Sequence, residues 1–234
     1  MAHYHPSDDI LIQFSAGALI DPLGIQIACH LEFCTLCREK CAYFDSLGAV
    51  LMQETQPEPV SSDMLNSLLN RLDEPEPYQP TFDEAISTIR QSESSPLEAL
   101  PKPLRRLVPC RYEQLPWYGM FKSIQQYDLP ITDQRYVARF YKIAAGKKLP
   151  KHTHRGNEYT LVLQGSFHDQ AGTYQKGDFI LADSHTVHQP TAASCQDCIC
   201  FAVMDAPLKL VGLPGLFLNR SISLNKNNVY NDSA

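Results

Sequence analysis

The sequence contains no apolar run near the about eighteen residues that cross a bilayer as a helix. That excludes a helical span within it. It also lacks a basic excess. Twenty Lys and Arg stand against 26 Asp and Glu, a formal net charge of −6. The electrostatic footprint of direct nucleic-acid binding is therefore missing. A gene regulator of this charge is expected to bind a basic protein instead. The opening residues, Met1-Ala-His-Tyr-His-Pro-Ser-Asp-Asp, lack the basic-then-apolar order of a signal peptide. A cytoplasmic location without membrane contact is expected. In that compartment, eight cysteines read as thiols and metal ligands, not disulfides.

Apolar residues are 44% of the chain, enough for a packed core. The 234 residues can hold one large or two small domains. Residues 1 to about 55 carry helical periodicity. Ser7 is placed to cap a first helix, with Asp8 and Asp9 in its first turn. Asp21-Pro22 starts a second helix. A third is expected from Arg38 to about Glu54, with Tyr43, Phe44, Leu47, Val50 and Leu51 on its apolar side. Ser61 to Asp73 forms a fourth, striped by Met64, Leu65, Leu68, Leu69 and Leu72. Between Pro75 and Pro109, prolines and serines accumulate, as in a linker with one short helix near Phe82 to Ile89. Beyond it, short β-branched and aromatic runs punctuated by Gly146, Gly165, Gly172 and Gly177 predict strands.

Residues 146–165 carry the sharpest signal. Gly146, His152, His154, Glu158 and Gly165 recur at the spacing G-x5-H-x-H-x3-E-x6-G. In a strand, residues i and i+2 share a face, so His152 and His154 can reach one metal. Glu158 opens the next strand and offers a carboxylate. The pattern resembles the first motif of the cupin superfamily at every position. The second cupin motif, G-x5-P-x-G-x2-H-x3-N, is matched only partly from Gly177. Asp183 replaces the proline, His185 the second glycine and Ala192 the asparagine, while His188 falls on the histidine. The resemblance implies a jelly-roll barrel with one metal on His152, His154, Glu158 and His188. Three imidazoles and a carboxylate suit zinc or another divalent metal.

A second constellation is His30-x3-Cys34-x2-Cys37. His30 and Cys34 share a helix face, and a turn at Cys34 lets Cys37 join them. These are three ligands of a zinc-like mix, one short of a closed tetrahedron. His3 and His5 are the candidates for the fourth. A redox pair or core thiols is the alternative for the cysteines. The set resembles the zinc-binding anti-sigma domain. Joined to a cupin, it resembles the ChrR-type anti-sigma factors, over residues 1–75 and 105–215. The resemblance implies zinc on His5, His30, Cys34 and Cys37, and an extracytoplasmic-function sigma factor as partner. His5 is preferred because it directly precedes the first helix.

The expected fold is thus α plus all-β: a zinc-binding helical bundle over 1–75, a Pro/Ser-rich linker over 76–104 and a cupin barrel over 105–220. The expected function is sequestration of the sigma factor, with release on a signal sensed by the cupin. In the resembling subgroup that signal is singlet oxygen or related oxidative stress. The rival is a metal-dependent, dioxygenase-like cupin enzyme. A binding module without catalysis is a third reading. Cys195, Cys198 and Cys200 are read as structural thiols, with redox sensing as the alternative.

Overall fold

The computed structural model describes residues 2–72, 100–108, 110–121, 123–131 and 135–211. The short helix expected near 82–89 lies outside them. The helical part comprises α1 (Asp8–Ser15), α2 (Asp21–Phe33), α3 (Thr35–Glu54) and α4 (Ser62–Leu72), followed by the single turn α5 (Lys102–Arg105). α1 starts after Ser7 as expected. However, the Ser7 side chain makes no capping bond; its carbonyl accepts from the amides of Ile10 and Leu11. α2 opens on Asp21-Pro22 and closes at His30 to Phe33.

Cys34 then breaks the helix with φ −122° and ψ 106°, and caps α3 by accepting from the Cys37 amide at 3.4 Å. So α3 begins at Thr35, earlier than the Arg38 expected from periodicity. A cysteine serving as N-cap hides the start signal, since caps are usually Ser, Thr, Asp or Asn. The expected apolar side of α3 is only partly covered. Phe44 packs against the helical core, whereas Tyr43, Leu47, Val50 and Leu51 are exposed.

Twelve strands follow: β1 (Tyr118–Phe121), β2 (Ile124–Asp128), β3 (Val137–Ile143), β4 (His152–His154), β5 (Glu158–Gln164), β6 (Ser166–His168), β7 (Thr173–Gln175), β8 (Phe179–Ala182), β9 (Val187–His188), β10 (Thr191–Ala192), β11 (Cys198–Met204) and β12 (Leu208–Leu210). They form a six-stranded sheet, β1-β2-β3-β11-β5-β8, and two three-stranded sheets, β10-β6-β7 and β12-β4-β9. Every pairing is antiparallel. Among the described residues the ladder does not close; the sheets enclose a jelly-roll interior instead.

The central strand β11 explains how the helices and the barrel meet. All seven of its residues are buried, as expected of a strand covered on both faces. Cys198 and Cys200 face inward with Ile143, Val162, Phe167 and Tyr174. Ile199, Phe201 and Val203 face outward, into a core with Cys29 of α2 and with Leu100, Leu104, Val108 and Tyr112. Gln26, fully buried in α2, donates to the carbonyls of Phe201 and Tyr159 at 2.6 and 2.9 Å. The helical part is therefore docked on the outer face of the large sheet. Cys29 and Cys41 are buried among apolar side chains.

Candidate metal centres

His5, His30, Cys34 and Cys37 converge, with one donor atom of each within 4.8 Å of all the others. Three elements deliver them: the segment before α1, the last turn of α2, and the α2–α3 break with the first turn of α3. His5 Nδ1 lies 3.3 Å from Cys34 Sγ and 3.5 Å from Cys37 Sγ. With metal–sulfur bonds near 2.3 Å and metal–nitrogen bonds near 2.0 Å, the edge of a tetrahedral site is about 3.5 Å. His30 donates from Nδ1 to the Gly177 carbonyl at 2.8 Å. Its Nε2 is buried without any hydrogen-bond partner. Burial pushes the His30 pKa down to about 4, so the ring is neutral at pH 7 and Nε2 carries a bare lone pair. Burial and the neighbouring Cys34 push Cys37 up to about 12. A buried lone pair and two sulfurs aimed at one point fit a soft or borderline divalent ion. His3 stays outside the group and is exposed.

In the barrel, His152, His154 and His188 form a second group, again with donor atoms within 4.8 Å of one another. β4 presents His152 and His154 on one face, and the register sets His152 directly opposite His188 of β9. His152 donates from Nδ1 to the Pro150 carbonyl at 2.9 Å. His188 donates from Nδ1 to Asp169 Oδ2 at 2.9 Å. The Nε2 atoms of His152 and His188 then face each other at 3.0 Å. His154 Nε2 is 3.2 Å from that of His188. Imidazole nitrogens this close are held by a shared proton or by a cation that both of them bind. Burial pushes His152 down to about 4, which keeps the ring neutral. Such orienting partners on the far ring nitrogen are typical of histidine ligands.

Glu158, which the cupin resemblance implied as a fourth ligand, lies beside this tight group. It lines the same cavity, with Oε2 3.4 Å from His154 Nδ1 and Oε1 accepting from Thr160 at 3.1 Å. Burial opposes its ionisation, but His154, His152 and Thr160 outweigh burial and hold the carboxyl below its usual range. It is therefore an anion held beside the histidines. His185 is exposed and outside the group. The missing motif proline is replaced by a side-chain turn: Asp183 Oδ1 accepts from the His185 and Thr186 amides at 3.0 and 3.1 Å. That turn delivers His188 without proline or glycine. Cys198 and Cys200 are buried, with sulfurs 3.7 Å apart, and Cys200 lines the cavity; Cys195 is exposed. Sequence reasoning missed Asp169 as the partner of His188. Its only linear mark is the turn Asp169-Gln-Ala-Gly172, in which Oδ1 caps the amides of Ala171 and Gly172.

Residues 106–206 match the ChrR cupin-like domain. The anti-sigma-E factor ChrR of Cereibacter sphaeroides is 35% identical over 210 residues, which are 88% of this chain and 91% of that protein. The chain belongs to the ChrR family of anti-sigma factors. A solved structure of Rhodobacter sphaeroides SigE in complex with the anti-sigma ChrR holds a chain that superposes with a TM-score of 0.72 at 32% identity, covering 87% of this chain and all of that one. The likeness to the ChrR proteins thus reaches across both the helical part and the barrel. Among the described residues, no helix is long and apolar enough to cross a membrane.

Proposed function

We propose that this protein is an anti-sigma factor. It binds an extracytoplasmic-function sigma factor through α3 and α4 and releases it when the barrel senses a signal. The observation that carries the reading is an apolar surface left exposed among the described residues. Met64, Leu65, Leu68, Leu69 and Leu72 of α4 are 48–79% exposed. Leu47, Val50, Leu51 and Met52 of α3 are 48–71% exposed. Contiguous exposed apolar faces on helices mark partner sites. Membership of the ChrR family, and the SigE complex of a relative, support a sigma factor as that partner. The proposed divisions are the helical anti-sigma domain at 1–75, the linker at 76–104 and the cupin at 105–220. We assign zinc to His5, His30, Cys34 and Cys37, and zinc or another divalent metal to His152, His154 and His188 with Glu158 beside them. The protein acts in the cytoplasm, where sigma factors are found.

The enzyme reading has less support. The barrel cavity measures about 40 Å³, room for an ion and one or two water-sized ligands. Substrate pockets run to about 300–1,000 Å³.

The double variant Leu65→Asp/Leu68→Asp tests the docking surface. Each leucine is worth about 1.5–3 kcal/mol when buried by a partner. Affinity for the cognate sigma factor, measured by titration, should fall at least about 100-fold. The unfolding free energy should stay within about 0.5 kcal/mol, as for surface sites. Undiminished sigma binding by this variant would remove α4 from the interface.

A further inference from the structure

The β7–β8 turn, residues 175–179, touches His30 of the other centre and the backbone just before His5. Gly177 opens the second cupin motif, yet its carbonyl accepts the Nδ1 proton of His30 at 2.8 Å. Asp178 is fully buried. Its Oδ1 accepts from the backbone amides of His3 and Tyr4, at 2.5 and 3.1 Å, and its Oδ2 from that of Gln175 at 2.8 Å. The Phe179 amide donates to the Tyr4 carbonyl at 3.0 Å. The Tyr4 ring packs on Tyr174, with centroids 4.7 Å apart. The segment that carries His5 is thus tied down on the barrel one residue before the histidine. The Phe179 ring lies edge-on to His30. Space around the turn is tight: a Cβ on Gly177, whose φ is +93°, would meet Phe33 Cβ at 2.8 Å.

We propose that this barrel turn is an outer part of the His/Cys centre. Gly177 and Asp178 are positioning residues that aim His30 and His5, so the helical region holds its metal at full strength only while docked on the barrel. The inference rests on the reading that His5, His30, Cys34 and Cys37 bind a metal. The physical reasons are two. Gly177 selects the tautomer that leaves His30 Nε2 free for a metal. Asp178 removes the freedom of a chain segment that precedes the first helix and would otherwise have to be ordered by the metal itself. A change in the barrel that moves this turn therefore alters the centre from which α3 starts, at Cys34.

The test uses the full chain loaded with cobalt(II) and read by its thiolate-to-cobalt absorption. Cys34→Ala identifies the band that belongs to this centre. A chelator competition then gives the affinity. Gly177→Ala displaces the carbonyl that orients His30, and Asp178→Asn loosens the segment before His5; each should weaken cobalt binding about 10–100-fold, the range for disturbing the outer support of a metal ligand, and should shift the d–d bands. Gln26→Ala loosens the same docking face one helical turn before His30 without touching the β7–β8 turn, and should weaken binding less than half as much as either turn variant. Circular dichroism of each variant checks that the barrel remains folded. Asp178→Asn keeps an oxygen acceptor and is the milder change should Gly177→Ala unfold. Affinities within twofold of wild type for Asp178→Asn and every folded Gly177 variant would overturn the proposal. Equal weakening by Gln26→Ala would overturn it too, in favour of general docking. If the wild-type protein shows no band sensitive to Cys34→Ala, the metal reading itself fails and takes this inference with it.

Discussion

Gly165 ends the first cupin motif for a reason visible in its surroundings. Its φ is +70°, and a Cβ there would stand 2.5 Å from the Asp197 carbonyl oxygen and 3.1 Å from Cys198 Cα. Those neighbours are backbone atoms and cannot swing away. Gly165→Ala combines a left-handed strain with a clash, each capable of costing about 1–3 kcal/mol. Urea denaturation should show a loss of at least about 2 kcal/mol. A loss below 0.5 kcal/mol, within the range of neutral surface changes, would show that the β5–β6 corner can move. The residue scale also accounts for His30. Its neutrality follows from burial, its tautomer from one carbonyl, and its free nitrogen from both. Spacing in the sequence identified the histidine, but nothing near it in the chain names Gly177, which lies 147 residues away.

At the scale of elements, α4 and β11 are opposites. β11 is apolar on both faces and buried on both. α4 has 11 residues with an apolar stripe that is exposed. Isolated helices below about 12–15 residues are marginal in water, and most helical stability comes from packing the apolar face. Hydrogen exchange should therefore find the amides of residues 64–72 poorly protected in the free protein. They should slow markedly once the sigma factor covers the stripe. Strong protection in the free state would mean that α4 packs on the body of the protein, and the docking surface would have to lie elsewhere. Periodicity made α4 legible as a helix, because i, i+3, i+4 spacing is a local property. It could not say whether the stripe faces a core of this chain or a partner.

At the scale of the whole molecule, the two groups of donors are separate. One is built where α2 meets α3, the other from β4 and β9 inside the barrel. His188→Ala removes one of the three converging imidazoles and leaves Asp169 without its partner. Elemental analysis of purified protein should show the barrel metal falling to a minor fraction, as loss of a direct ligand predicts. The His/Cys metal should remain at roughly one equivalent, because none of its four donors contacts His188. His185→Ala should change neither. Loss of both metals in His188→Ala would mean that the centres are coupled more tightly than the β7–β8 turn alone provides.

The sequence by itself determined the helical and strand regions, the candidate ligand histidines and cysteines, and the resemblance to ChrR-type anti-sigma factors. Those signals are short-range: side-chain periodicity, and donor spacing within one helix, one turn or one strand. Tertiary structure alone decided the rest. It placed Glu158 against His154 outside the tight group of imidazoles and supplied Asp169 to His188. It also docked α2 on the large sheet through Gln26, and tied His30 to the barrel through Gly177. The two docking contacts join groups more than a hundred residues apart, the Asp169–His188 pair joins a turn to a different strand, and Glu158 depends on how a buried charge divides its contacts. None of these leaves a mark at fixed spacing along the chain.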